Sequence, residues 1–214
     1  MARQFLNTHS LNRLIAEGEH QQQDFKYKIT DACKLAKSVS AFANTEGGRL
    51  LIGVRDDGHL SGVRSEEEVY MMRVAATDYC VPAVTLDFDR LQVEGRQIVV
   101  ANVPLSNQKP VKAICEDGRK RAYIRIADEN IVASPVHLQI WRQQQAARGQ
   151  VFSYGETENR VMAAMNDGRA LTLKEVVKLS GVSRHQVVVT LARMVRFGLV
   201  DCLFQDHGFV FQLL

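Results

Sequence analysis

Apolar positions recur along this chain with two different spacings, and the pattern changes near residue 150. Residues 8–20 put Leu11, Leu14 and Ile15 on one face, the repeat of an amphipathic helix. Over 21–29, Phe25, Tyr27 and Ile29 alternate with Asp24, Lys26 and Lys28, the two-residue repeat of a half-buried strand. Leu35, Val39 and Phe42 mark a second helix, with Thr30 or Asp31 as its cap. Residues 49–54 are a nearly unbroken apolar run. With Asp56-Asp57-Gly58 and the stretch 60–63 they predict a strand, tight turn and strand. Ser65 and Glu68 have the spacing of a capping box, ahead of a helix that runs to about Tyr79 and stops before Pro82. Two more hairpins are predicted, 84–91 with 97–103 around Glu94-Gly95, and 111–115 with 120–126 around Asp117-Gly118. Ser134-Pro135 starts a helix that carries Trp141 and ends near Gly149.

Past residue 152 the pattern predicts three helices, at 156–166, 172–180 and 184–197. Ser180-Gly181-Val182-Ser183 joins the last two, and two short apolar strands flank Asp206-His207-Gly208. Helix, helix, turn, helix, hairpin is the order of a winged helix-turn-helix. The polar, glutamine- and alanine-rich stretch 143–149 is the natural boundary. The expected fold class is α+β, with a mixed-sheet domain and flanking helices at 1–149 and a small winged helix-turn-helix at 150–214.

Composition narrows the function classes. The chain has 214 residues, 46% of them hydrophobic and 24% charged, which excludes a disordered tail, a collagen-like repeat and a small disulfide scaffold. A net charge of +3 permits nucleic-acid binding without arguing for it, so a basic footprint must be local. Cys33, Cys80, Cys115 and Cys202 form no CxxC pair and are expected to fill space as small apolar residues in a reducing compartment. No stretch approaches the roughly 20 apolar residues of a membrane span, and the first ten residues hold no signal-peptide core. The expected location is cytoplasmic, with no membrane partner. The six histidines show no ligand spacing, no serine or cysteine sits in a nucleophile elbow, and no Gly-Lys-Ser or Gly-Lys-Thr loop is present, so ATP is not an expected cofactor.

Two basic groups remain as candidates for nucleic-acid contact. In the third C-terminal helix Ser183 offers a hydroxyl and a helix N-terminus to phosphate, while Arg184, His185 and Gln186 occupy positions that read base edges in helix-turn-helix proteins. Arg193 and Arg196 follow on the same helix. The segment 151–214 holds seven basic and six acidic residues, which leaves a packing or dimerisation role open. The second group is Lys109, Lys112, Arg119, Lys120, Arg121 and Arg125. Arg121, Tyr123 and Arg125 alternate on one strand face, suiting phosphate contact with base stacking, an exposed sheet face or a domain interface.

The most specific motif is Ser40-Ala41-Phe42-Ala43-Asn44-Thr45-Glu46-Gly47-Gly48, followed by the apolar strand that ends Gly53-Val54-Arg55-Asp56. Gly47 and Gly48 allow a sharp helix-to-strand turn, Asn44 can bind exposed carbonyls there, and Gly53 allows close backbone approach. This stretch resembles the Schlafen/AlbA-type domain family, as do the segment Glu19 to Lys26 and the strand Tyr123-Ile124-Arg125. The resemblance covers about residues 10–135. It implies DNA binding, and the fusion to a winged helix is similar to that of bacterial transcriptional regulators. Some Schlafen members cleave RNA with three carboxylates, and that role falls on Glu19, Asp24 and Asp56, which would then hold Mg or Mn. Residues five apart on a strand face opposite sides, so Glu19 is expected before the strand or at a bulge. The favoured reading is a DNA-binding regulator of duplex DNA, acting as a homodimer, without catalysis or cofactor. The alternatives are a metal-dependent nuclease and a protein-assembly module.

Overall fold

A computed structural model describes residues 8–63, 65–145 and 154–214. The fold is α+β, with mixed sheets, and the chain divides into two compact units, Met1–Val132 and Ala133–Leu214.

In the first unit the elements are α1 (Thr8–Glu17), β1 (Gln23–Lys26), α2 (Ala32–Asn44), β2 (Gly48–Ile52), α3 (Glu66–Thr77), β3 (Cys80–Val81), β4 (Asp87–Val93), β5 (Arg96–Val103), β6 (Lys112–Ile114), β7 (Lys120–Ile126) and β8 (Glu129–Val132). One sheet has the order β1-β2-β5-β4, with β1 parallel to β2 and the other pairs antiparallel. The other sheet has the order β3-β6-β7-β8 and is antiparallel throughout. Strand β2 reads as a continuous apolar run because both of its faces are covered. Leu50 and Ile52 join the cluster under α2 and α3, whereas Leu51 joins Phe25, Ile98 and Val100 under Leu11 and Leu14 of α1.

Helix α2 is buried on nearly all sides and packs on β6, β7 and α3. Its small residues, from Ser38 to Ala43, let backbones come close, and Asp31 caps its N-terminus by accepting from the amides of Cys33 and Lys34. The Glu94-Gly95 turn forms as expected, with both residues in the left-handed region and Val93 paired to Arg96.

Two local expectations differ from the structure. The hairpin over 49–54 and 60–63 reduces to a single bridge, Val54 to Leu60. The strand edges it needed are taken by β1 and β5, and Gly53 leaves the strand at φ +89° with its carbonyl accepting from Ser61 and Gly62. A Cβ at Gly53 would lie 2.8 Å from the Gly62 carbonyl carbon, so a side chain is excluded there. Ser65 precedes α3 as expected but makes no side-chain cap bond.

In the second unit the elements are α4 (Pro135–Gln144), α5 (Glu156–Ala164), β9 (Leu171–Thr172), α6 (Leu173–Ser180), α7 (Arg184–Arg196), β10 (Val200–Gln205) and β11 (Gly208–Leu213). The sequence boundary at 149/150 put α4 in the first domain, but Val136 and Ile140 pack in the second unit's core with Val161, Leu191 and Phe211. Residues 146–153, which include that boundary and the expected end of the helix near Gly149, lie outside the described residues. Strands β9, β10 and β11 form an antiparallel sheet in the order β10-β11-β9. Asp206 and His207, both left-handed, make the two-residue turn of its hairpin. Among the described residues no helix is long and apolar enough to cross a membrane.

Candidate functional site

Helix α7 starts where local chemistry dictates. Gly181 adopts the left-handed conformation that ends α6, at φ +61°, and Ser183 caps α7 by accepting from the amide of Gln186. Beyond this turn Val187, Leu191 and Met194 point into the core, and Ser183, Arg184, His185 and Gln186 are exposed together. The first turn of α7 therefore presents hydroxyl, guanidinium, imidazole and amide groups at a helix N-terminus, with no carboxylate among them. Arg193 does not extend this surface. Its guanidinium pairs with the buried carboxylate of Glu158 on α5, which also accepts from the amide of Gly155. Arg196 is exposed, and its Nη1 donates to Gln143 Oε1 over 3.4 Å.

The second basic group is broken up by the fold. Arg121, Tyr123 and Arg125 share a strand face, but α2 covers that face. Tyr123 is buried, with its hydroxyl 3.4 Å from Cys115 Sγ, so it offers no stacking surface. Arg125 is 1% exposed and binds inward, donating to the carbonyl oxygen of Gln23 and to Asn130 Oδ1, with its guanidinium 5.0 Å from the Phe42 ring centre. Arg121 is held by two bonds to Asp117, and Arg119 also faces that carboxylate at 3.8 Å. Lys109 is half-buried and its ammonium is pushed below the usual range by that burial. Lys112 is half-buried and Lys120 exposed at the two ends of the β6–β7 ladder. The expectation of a nucleic-acid face at Arg121, Tyr123 and Arg125 is thus corrected: alternation put them on one side, and a helix rather than solvent lies against that side.

The carboxylates separate in the same way. Glu19 precedes β1, as the strand period requires, and its Oε1 accepts from the Phe25 amide at 2.8 Å. Burial, and then a hydrogen bond with the Asp24 carboxyl, push Glu19 up to about 7. Asp24 is buried between two cations, with Lys26 Nζ at 2.8 Å and Arg125 Nη2 at 3.8 Å, and Ser38 Oγ also donates to it. Asp56 lies in the exposed 55–58 turn and borders a cleft with Ile15, Gly18 and Phe25. Phe25 points to the α1 side of the sheet and Asp24 to the α2 side, so Asp56 is not gathered with the other two acids. Among the described residues no three His, Cys, Asp or Glu side chains are placed to hold a metal ion. Glu19, Asp24 and Asp56 do not fit a divalent cation.

The glycine-turn motif is structural. Asn44 is buried and its Nδ2 donates to the carbonyl oxygens of Val111 and Tyr123, while its Oδ1 accepts from the Val111 amide. Gly47 takes φ +74° against the backbone of Leu105, and a Cβ at Gly48 would meet the Phe42 ring. The alternation of Asp24 with Lys26 and Lys28 offers Asp24 a cationic neighbour on its own strand, and Lys26 is the one that pairs with it. Ser38, Asn130 and Arg125, which complete its surroundings, were not foreseen, because they converge from α2, β8 and β7. Arg142 on α4 was also missed, although Val136, Ile140 and Gln143 at helical spacing put it on the opposite, open side.

The chain belongs to the Schlafen, AlbA_2 family, whose model matches residues 19–134. No curated protein matches it. Among solved structures, the DIP2311 protein from Corynebacterium diphtheriae is similar with a TM-score of 0.48 and 18% identity, over 89% of this chain and 34% of that one. The chain thus spans about a third of the length of that relative. The N-terminal domain of a RecG-related protein from Nitrosomonas europaea is similar with a TM-score of 0.40 and 22% identity, over 68% of this chain and 95% of that one.

Proposed function

We propose that the protein is a DNA-binding regulator in which residues 154–214 act as a winged helix-turn-helix and the first turn of α7 reads duplex DNA. The observation that carries this reading is the joint exposure of Ser183, Arg184, His185 and Gln186 at the N-terminus of α7, free of carboxylates, in a unit whose chain continues from α7 into the β10–β11 hairpin. The helix order α5, α6, α7 with the hairpin behind it supports the assignment. In this mechanism Arg184 pairs with guanine and Gln186 with adenine in the major groove, the Ser183 end of the helix takes a phosphate, and the hairpin lies along the backbone. The regulator works in the cytoplasm as a homodimer on two half-sites, and the Schlafen, AlbA_2 domain adds contacts or senses an effector.

The test is a salt titration of duplex binding. Wild-type affinity should fall steeply with ionic strength, and the double variant R184A/Q186A should lose affinity and sequence preference. Unchanged affinity and slope in that variant would overturn the reading.

The nuclease alternative has one observation in its favour, the Glu19–Asp24 pair with its raised Glu19. Against it, Asp24 is already engaged by Lys26 and Arg125, and Asp56 lies apart. Cleavage of RNA or single-stranded DNA that requires Mg or Mn and is lost in D56A would reinstate it.

A further inference from the structure

A groove runs between α4 and α7, rimmed by Gln139 and Arg142 on one side and by Arg184 and His185 on the other, with Leu138 and Val188 between them. No acidic residue lines it. Arg142 donates one hydrogen bond to Gln139 Oε1, at 3.1 Å, and neither Arg142 nor Arg184 is paired with a carboxylate among the described residues. Arg193, on the same helix as Arg184, is neutralised by Glu158. The fold therefore leaves two guanidiniums without a carboxylate partner among the described residues along one groove, with the His185 ring beside them, and it leaves them where α7 begins.

We propose that this groove seats one phosphodiester strand beside the bases read from α7, with Arg142 supplying a phosphate contact from outside the helix-turn-helix. The proposal rests on the DNA reading above and extends its footprint to α4. The chemistry fits the occupant. A guanidinium forks onto two phosphate oxygens, and the apolar floor between the rims suits the sugar faces that alternate with phosphates along a strand. Arg142 reads no base in this arrangement, so its contribution is independent of sequence.

The experiment measures binding of the full chain to a mixed-sequence DNA duplex by fluorescence anisotropy across a salt series, for wild type, R142Q, R142K and R184A/Q186A. R142Q should weaken binding several-fold on every duplex tried and reduce the salt slope by about 1, while R142K keeps the slope. Arg142 is exposed, so an unchanged melting curve should accompany the loss. If R142Q matches wild type while R184A/Q186A loses binding, the groove proposal fails and the DNA reading stands. If neither variant changes duplex binding, both fail. If poly-glutamate displaces the duplex and R142Q weakens only the poly-glutamate complex, the groove takes an acidic peptide and the proposal is overturned.

Discussion

Asn44 pairs with Val111 as one strand residue pairs with another: Nδ2 donates to the Val111 carbonyl and Oδ1 accepts from the Val111 amide, both at 2.8 Å. The same Nδ2 donates to the Tyr123 carbonyl at 2.9 Å. One side chain at the end of α2 thus satisfies backbone groups just before β6 and within β7.

Substituting Asn44→Ala leaves the Val111 amide and the Tyr123 carbonyl without this partner in a buried setting, while the Ser40 hydroxyl still donates to the Val111 carbonyl. The expected cost is about 3 kcal/mol. Urea unfolding followed by circular dichroism should show a lower midpoint at unchanged slope, and a midpoint equal to wild type would contradict the role assigned to Asn44.

Arg125→Ala removes the Arg125 partner of Asp24 and the donor to the Gln23 carbonyl in one step. Both side chains of that ion pair are almost wholly buried. A loss of about 3–5 kcal/mol is expected, because a charge is left in the interior with poorer compensation. Arg125→Lys keeps the charge but cannot bridge Gln23, Asn130 and Asp24 together, so its loss should be smaller and still measurable in the same unfolding experiment.

Glu19 in the first unit and His137 in the second should contribute to the pH dependence of stability with opposite signs. Glu19, raised from 4.5 to about 7, holds its proton in the folded state over a range where the unfolded chain has released it. Its contribution is complete below pH 4.5 and is lost as pH rises through about 7. A carbon NMR titration of Glu19 should give a midpoint near 7, and E19Q should remove this fall in stability. In the second unit burial pushes His137 from 6.5 down to about 4. There the unfolded state binds the extra proton, so stability is complete above pH 6.5 and is lost as pH falls toward about 4. Trp141, the one tryptophan of the chain, packs near His137 with ring centres 6.3 Å apart and reports this unit by fluorescence. H137N should flatten the acid side of that curve.

Arg193→Ala separates a structural arginine from a reading one. Its partner Glu158 is buried and also binds the Gly155 amide, so the variant should lose about 1–3 kcal/mol in urea unfolding monitored by Trp141. The salt slope of duplex binding should stay at the wild-type value. A reduced slope with unchanged stability would move Arg193 into the interface.

Local chemistry alone determined much of this protein. The left-handed Glu94-Gly95 and Asp206-His207 turns, the Asp31, Ser134 and Ser183 caps and the Gly181 helix end form where their residues stand, because each is decided by atoms a few residues apart. The exposed first turn of α7 follows from the same rules. Tertiary structure alone decided what lies against each face. Alternation in β7 placed Arg121, Tyr123 and Arg125 together, but only the packing of α2 made that side an interior. Likewise the pairing of Glu19 with Asp24, the separation of Asp56 and the docking of α4 beside α7 depend on segments distant in sequence. Periodicity tells that an element has two sides. Which side meets water is settled by the burial of apolar area summed over the whole unit, and no single segment carries that sum.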